Sequence, residues 1–190
     1  MNFLEKKIIE DGNAINSSVL KVDSFLNHQI DCNVMKNIGN YFYDYFKNKN
    51  INKVITIESS GIAPALITAM KFNVPLVVCK KSKSIILDNN ILTTKVKSFT
   101  KNIIYDLVVS EKFIKDTDNI LIIDDFLATG EAIFGVVNLI KKTKANIVGV
   151  GIVIEKSFQG GKEKLQSAGF DVCSIAKIRN IKCGKVNFIK

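Results

Sequence analysis

Asp124 and Asp125 stand side by side at the end of an apolar run, within LIIDDFLATGEA at residues 121 to 132. Adjacent carboxylates repel each other unless cations or hydroxyl donors hold them. A turn carrying a hydroxyl and a glycine, Thr129-Gly130, follows and opens a helix-like pattern. Such a turn offers an anion backbone N–H groups, a side-chain hydroxyl and a helix N-terminus. Helix capping accounts for one Asp. It does not account for two, because the helical pattern starts several residues later, near Gly130. Carboxylates for sugar hydroxyls beside amides for a phosphate describe a site for ribose 5-phosphate.

Other turns carry chemistry at the same kind of position. Glu58-Ser59-Ser60-Gly61 ends one β-rich run and opens a helical one, which suits a second phosphate-type group. Ser as N-cap ahead of Pro64 is compatible with that reading. Lys80 and Lys81 follow the run LVVC, placed to reach an anion or simply to be solvated. GIVIEKSFQ puts Lys156 directly after a buried-strand pattern, with Phe158 two residues on. The Walker pattern and the dinucleotide fingerprint are both absent. Gly149-x-Gly151 lies inside a strand pattern and Gly160-Gly161 reads as a plain turn. His28, the single histidine, reads as structural.

The elements that must position these turns alternate. Residues 1 to 50 form a helical preface: a short amphipathic helix from Phe3 closed by Asp11-Gly12, an extended segment SSVLKVDSFLNHQID, and a helix carrying Met35, Ile38, Phe42 and Phe46. Strand patterns follow at 54–58, 75–79, 103–110, 119–125, 146–155 and 171–178, with one more at 186–189. Helical patterns fall at 62–71, 131–142 and 161–169. Residues 84–99 read as a hairpin about Asp88-Asn89-Asn90. Nearly wholly apolar strands alternating with helices predict a parallel sheet covered on both faces. Ligands of such sheets bind beyond the C-terminal strand ends, where all the turns above lie.

Composition bounds the partners. The chain has 190 residues, 47% hydrophobic and 24% charged, enough for one domain with a real core. Its longest apolar stretches fall well short of the ~20 residues of a membrane helix. MNFLEKKIIEDGN mixes both charge signs and does not read as a secretory signal, so Asn16-Ser17-Ser18 carries no glycosylation meaning. Four scattered cysteines without a C-x-x-C pair argue against zinc and for reduced thiols in the cytoplasm. The formal charge is +9, but almost all of it is lysine spread along the chain, with Arg179 the only arginine. That pattern fits small anionic substrates better than a nucleic-acid face.

The order apolar run, Asp-Asp, three residues, Thr-Gly resembles the 5-phosphoribosyl 1-diphosphate (PRPP) motif of the type I phosphoribosyltransferases, and the match is complete. VDSFLNHQID, TIESSGIAPA, ILTTKVKSFTK and GVGIVIEKSFQ are similar to the xanthine-using branch of that family, from about Lys21 to Phe188. The resemblance implies a type I phosphoribosyltransferase fold of the α/β class. It has a parallel sheet flanked by helices, a core over 51–180, and a hood made by residues 1–50 with the C-terminal segment. It implies transfer of phosphoribose from PRPP to N9 of xanthine, with pyrophosphate leaving. Ala128, Thr129, Gly130, Glu131 and Ala132 would hold the 5′-phosphate, and Asp124 and Asp125 the ribose hydroxyls. Ser59, Ser60, Gly61 and Lys81 would serve pyrophosphate, with a non-proline cis peptide near Glu58-Ser59-Ser60. Leu20, Asn27, Lys156 and Phe158 would serve the base. A substrate-borne Mg²⁺, no metal cage of the protein's own and a homodimer are expected.

Xanthine presents carbonyls at positions 2 and 6 and so wants donors at both, which suits Lys156. Asn27 can donate or accept, and Phe158 can stack on the ring. No nucleophile-base arrangement calls for covalent catalysis. The polar, basic segment 91–102 is the expected closing loop. Two rivals remain: a transferase for another purine base, and a PRPP-sensing transcriptional regulator. The fifty residues before the first strand are few for a DNA-binding module as well as a hood, and hold no basic recognition helix.

Overall fold

The structure is a computed structural model that describes residues 1–81, 90–97 and 103–189. Helix α1 (Phe3–Asp11) opens on a capping box. Asn2 Oδ1 accepts from the amides of Leu4 and Glu5, and Glu5 returns a bond to the Asn2 amide. The same Asn2 reaches across the molecule, its Nδ2 donating to the Ile175 carbonyl at 2.7 Å. Two short strands, β1 (Asn13–Ala14) and β2 (Leu20–Lys21), then form a tight antiparallel pair.

The extended reading of residues 17–31 needs correction. Asp23–Asn27 is a turn of π-helix, in which the Asp23 carbonyl accepts from His28 and Gln29 at 3.2 and 2.8 Å. The turn buries the adjacent pair Phe25 and Leu26, which no extended strand could place on one face. Helix α2 (Cys32–Phe46) follows, capped by Asp31, with Val34, Met35, Ile38, Phe42 and Phe46 buried at helical spacing.

The main sheet is built from β3 (Lys53–Ile57), β4 (Leu76–Cys79), β7 (Asn119–Leu127), β8 (Asn146–Lys156), β9 (Val172–Lys182) and β10 (Lys185–Phe188). Its order is β10-β9-β8-β7-β3-β4, parallel except for the β9–β10 edge pair. Helices α3 (Ile62–Phe72), α4 (Glu131–Ile140) and α5 (Gly161–Ser167) connect the parallel strands. Both faces are buried. Leu121 and Ile123 belong to a core shared with the N-terminal helices and α3, while Ile120 and Ile122 belong to one shared with α4. This period of two on both faces explains why the strands read as continuous apolar runs.

A separate two-stranded sheet pairs β5 (Ile91–Lys97) with β6 (Ile104–Ser110) in antiparallel register. Half of the expected closing loop, residues 91–97, is therefore a strand, and its partner lies downstream in the chain. Residues 82–89, which carry Asp88 and Asn89 of the expected hairpin turn, and residues 98–102 lie outside the described residues. The hairpin attaches to the main sheet where Lys80 and Val108 exchange both backbone hydrogen bonds at 2.8 Å.

At the opposite end of the sheet from Asp124, Lys53 is buried and its ammonium meets the Asp118 carboxylate and the Phe113 carbonyl. Asp118 also accepts from the Lys115 amide at 2.7 Å. Asp118→Ala should cost about 3–5 kcal/mol, because it leaves a buried ammonium without its counter-charge. Urea unfolding checks this, and Lys53→Met in the same chain should restore part of the loss while kcat stays unchanged.

Candidate functional site

The C-terminal ends of β3, β7 and β8 open on a cavity of about 370 Å³. Strand β7 delivers the acidic pair. Asp124 is buried, and its Oδ1 accepts from the Asp125 amide at 3.0 Å. Burial pushes the Asp124 carboxyl well above the ordinary carboxylate value of 3.8, and the neighbouring Asp125 pushes it the same way. Burial also raises Asp125. The pair is therefore poorly solvated, an environment that hydroxyl donors or cations would relieve.

The turn after the pair is shaped by glycines. Gly130 has φ +90°, a left-handed conformation that a side chain would strain. It is the N-cap of α4, so no side chain caps the first turn of that helix. Gly161, at the start of α5, backs onto the same turn. A Cβ there would strike the Ala128 carbonyl oxygen and come within 2.9 Å of the Gly130 nitrogen. All five residues Ala128 to Ala132 line the cavity.

The second turn closes on the pair from β3. Glu58-Ser59 is a cis peptide, as the resemblance implied. Ser59, Ser60 and Gly61 line the cavity. A Cβ on Gly61 would collide with Thr56 Oγ1 and lie 2.8 Å from Asp124 Oδ1. Glu58 ties this turn to the end of β4: its carboxylate accepts from the Lys81 amide at 2.6 Å and pairs with the Lys80 ammonium at 3.4 Å. Lys80 is thus held outside the cavity lining. Lys81 lines the cavity, its ammonium 5.8 Å from the centre of the Tyr105 ring.

The far wall comes from β8 and the N-terminal segment. Lys156 lies 5.3 Å from the centre of the Phe126 ring, and its ammonium donates to the Ser18 carbonyl at 2.7 Å. Burial lowers the Lys156 pKa, and Asp125 opposes the shift. Leu20 lines the cavity beside Val19.

Two expected residues are not brought in. Asn27 ends the π-helical turn on the exposed side. Phe158 is 41% exposed, because β8 stops at Lys156 and a 3₁₀ turn over Ser157–Gln159 carries the ring to the surface. The aromatic wall is Phe126 instead, two residues past Asp124 on the same strand. Strand alternation does not give it: Ile120 and Ile122 face the core shared with α4, whereas Phe126 packs against the core shared with the N-terminal helices. Lys97 and Tyr105, from the β5–β6 hairpin, also line the cavity and carry no local signal. Among the described residues no three His, Cys, Asp or Glu side chains converge as a metal cage. No helix among them is long and apolar enough to cross a membrane.

Residues 22–184 match the family described as Phosphoribosyl transferase domain. Xanthine phosphoribosyltransferase 1 of Clostridium botulinum strain Hall is 52% identical over 190 residues, covering all of both chains. Xanthine phosphoribosyltransferase of Clostridium acetobutylicum is 49% identical over 189 residues, again over 100% of each. A solved structure of adenine phosphoribosyl transferase from Trypanosoma brucei, in complex with AMP, pyrophosphate and ribose-5-phosphate, superposes with TM-score 0.74 at 22% identity. It covers 92% of this chain and 79% of that one. At that identity it speaks for the fold alone, which is the α/β arrangement expected from the residues.

The raised carboxyls make a pH prediction. A carboxyl whose folded pKa exceeds its unfolded value contributes most to stability below the unfolded value. That contribution is lost as pH rises through the folded one. The ligand-free pair therefore destabilises the fold at neutral pH. Asp124→Asn keeps the acceptor for the Asp125 amide and removes one charge. It should raise Tm at pH 8, by about 2–4 °C for each kcal/mol relieved. The gain should vanish as pH falls toward 4, near the ordinary carboxylate value of 3.8, and calorimetry across pH reads it directly.

Proposed function

Since this chain belongs to the phosphoribosyltransferase family, we propose that it transfers the 5-phosphoribosyl group of PRPP to N9 of xanthine. The products are xanthosine 5′-phosphate and pyrophosphate, so the reaction salvages a purine base. One observation carries the reading: a single cavity collects an acidic pair, an uncapped anion-binding turn and a lysine donor. Relatives named xanthine phosphoribosyltransferase, about half identical over the whole length, support the choice of base.

The following roles are our reading, and the shared cavity lining supports them. Ala128 to Ala132 bind the 5′-phosphate through backbone amides and the Thr129 hydroxyl. Asp124 and Asp125 accept from the ribose 2′- and 3′-hydroxyls and favour positive charge at the anomeric carbon. Ser59, Ser60, Gly61 and Lys81 receive the pyrophosphate. The base lies between Phe126 and the Leu20 side of the cavity, with Lys156 donating to its 6-carbonyl. N9 displaces pyrophosphate at an oxocarbenium-like centre, without a protein nucleophile. Positioning and exclusion of water supply the rate. The cavity fits Mg²⁺ carried largely by substrate oxygens and water, because two carboxylates fall short of a full cage. When bound, the ion neutralises charge on the leaving group. We read the chain as one domain whose residues 1–50 and C-terminal segment hood the core over 51–180. We place it in the cytoplasm, in keeping with its free cysteines, and assign it a homodimer.

The test is turnover of PRPP with xanthine, guanine, hypoxanthine and adenine in separate reactions, following nucleotide formation. Xanthine should give the highest kcat/KM. A protein that binds PRPP without turning over any base would be a sensor instead. The double change Asp124→Asn with Asp125→Asn should remove nearly all activity from a folded protein, and retention of most of kcat would misplace the ribose site.

Lys156→Met keeps much of the apolar stem and removes the donor. An unpaired carbonyl in a desolvated site costs about 1–3 kcal/mol, so kcat/KM for xanthine should fall roughly tenfold to a hundredfold. KM for PRPP should barely change. If both substrates weaken equally, the lysine serves the phosphates instead.

A further inference from the structure

The Lys156 ammonium does not point freely into the cavity. It is held from behind by the carbonyl of Ser18, at 2.7 Å, and flanked by the Phe126 ring. Ser18 belongs to the tip of the β1–β2 hairpin, and that tip is organised around one exposed side chain. Asn16 Oδ1 accepts from the Ser18 amide at 2.9 Å, the Ser18 hydroxyl at 3.0 Å and the Val19 amide at 2.8 Å. The Ile15 amide closes the tip onto the Val19 carbonyl at 3.0 Å. Asparagine is suited to this because its side chain replaces a backbone acceptor within a turn.

We propose that Asn16 is a positioning residue for the base: it fixes the turn whose Ser18 carbonyl aims Lys156 at xanthine. The proposal rests on the reading of Lys156 as the base donor. An ammonium carries three N–H donors on a flexible stem. One is spent on Ser18, which removes rotamer freedom and directs the others into the cavity. The Ser18 carbonyl also supplies a dipole that favours the charged form of a lysine taken partly out of water. Val19 and Leu20 follow the same turn into the cavity wall, so the turn that orients the lysine also places the hood residue beside the base. Asn16 itself is exposed and outside that wall, so nothing about its own burial marks it as functional.

The opposite possibility is that Ser18 competes with the base for Lys156. Loosening the turn would then tighten xanthine binding. The two differ in sign. Asn16→Ala should raise KM for xanthine roughly tenfold, the scale of a lost orienting hydrogen bond, with kcat, KM for PRPP and Tm almost unchanged. Asn16→Asp, which keeps the acceptor oxygen, should restore most of the loss. A lowered or unchanged KM for xanthine in Asn16→Ala overturns the proposal. So does an equal rise for both substrates, or failure of Asn16→Asp to restore binding. Lys156→Met is measured alongside. If that change leaves xanthine unaffected, it is the base-donor reading that fails. If it weakens xanthine while Asn16→Ala does not, only the role of Asn16 falls.

Discussion

A buried carboxylate, Asp124, beside the half-buried Asp125 in the C-terminal half of β7 is the constraint on which this site is organised. Asp124 lies in the C-terminal half of β7, an interior strand of the sheet between β3 and β8. A charge there is unfavourable to the free protein, and burial shifts both carboxyls upward. Hydroxyl groups that donate to the pair, and positive charge that develops opposite it, recover interaction energy that an exposed pair would already have spent on water.

Close packing of three backbones around the pair follows from that constraint. The turn from β3 must approach Asp124 more closely than any side chain permits, so Gly61 stands where a Cβ would strike both Thr56 and the carboxylate. The turn after the pair is supported from outside, where Gly161 lets the start of α5 lie directly against Ala128 and Gly130. Glu58 joins the β3 turn to the end of β4 through Lys80 and the Lys81 amide. Both turns are thus held in place by close backbone approach at the glycines and by the Glu58 carboxylate.

What could be read from the sequence followed how local each feature is. The strands of the main sheet stood out because both faces are buried, and Asp124, Asp125, Thr129 and Gly130 because they lie within seven residues of chain. Lys156 was placed by its position at a strand end. Phe126 was missed because an aromatic inside an apolar strand reads as core, and it does pack against the core of the N-terminal helices, off the face of Ile120 and Ile122. Tyr105 and Lys97 come from a hairpin whose approach depends on the Lys80–Val108 bridge, a contact without a sequence pattern. The π-helical turn over Asp23–Asn27 escaped because one turn leaves no measurable period. Phe158 lies outside the cavity lining for a related reason: the three-residue turn after β8 ends the strand alternation and leaves the ring exposed.

The choice of lysine rather than arginine on the base side follows from the same crowding. Arginine presents a planar fork suited to two oxygens in one plane, as in a carboxylate or phosphate. Here the cation must satisfy a backbone carbonyl from the hairpin tip, lie against an aromatic ring and still donate into the cavity. Those directions are not coplanar demands on a single fork, and three tetrahedral N–H groups on one nitrogen meet them more readily. Lysine also gives up its proton more readily than arginine when buried, so its charge needs local support. The Ser18 carbonyl and, at longer range, Asp125 supply that support. Asp125 therefore acts beyond the acidic pair, supporting through space the charge of Lys156 on the far wall of the cavity.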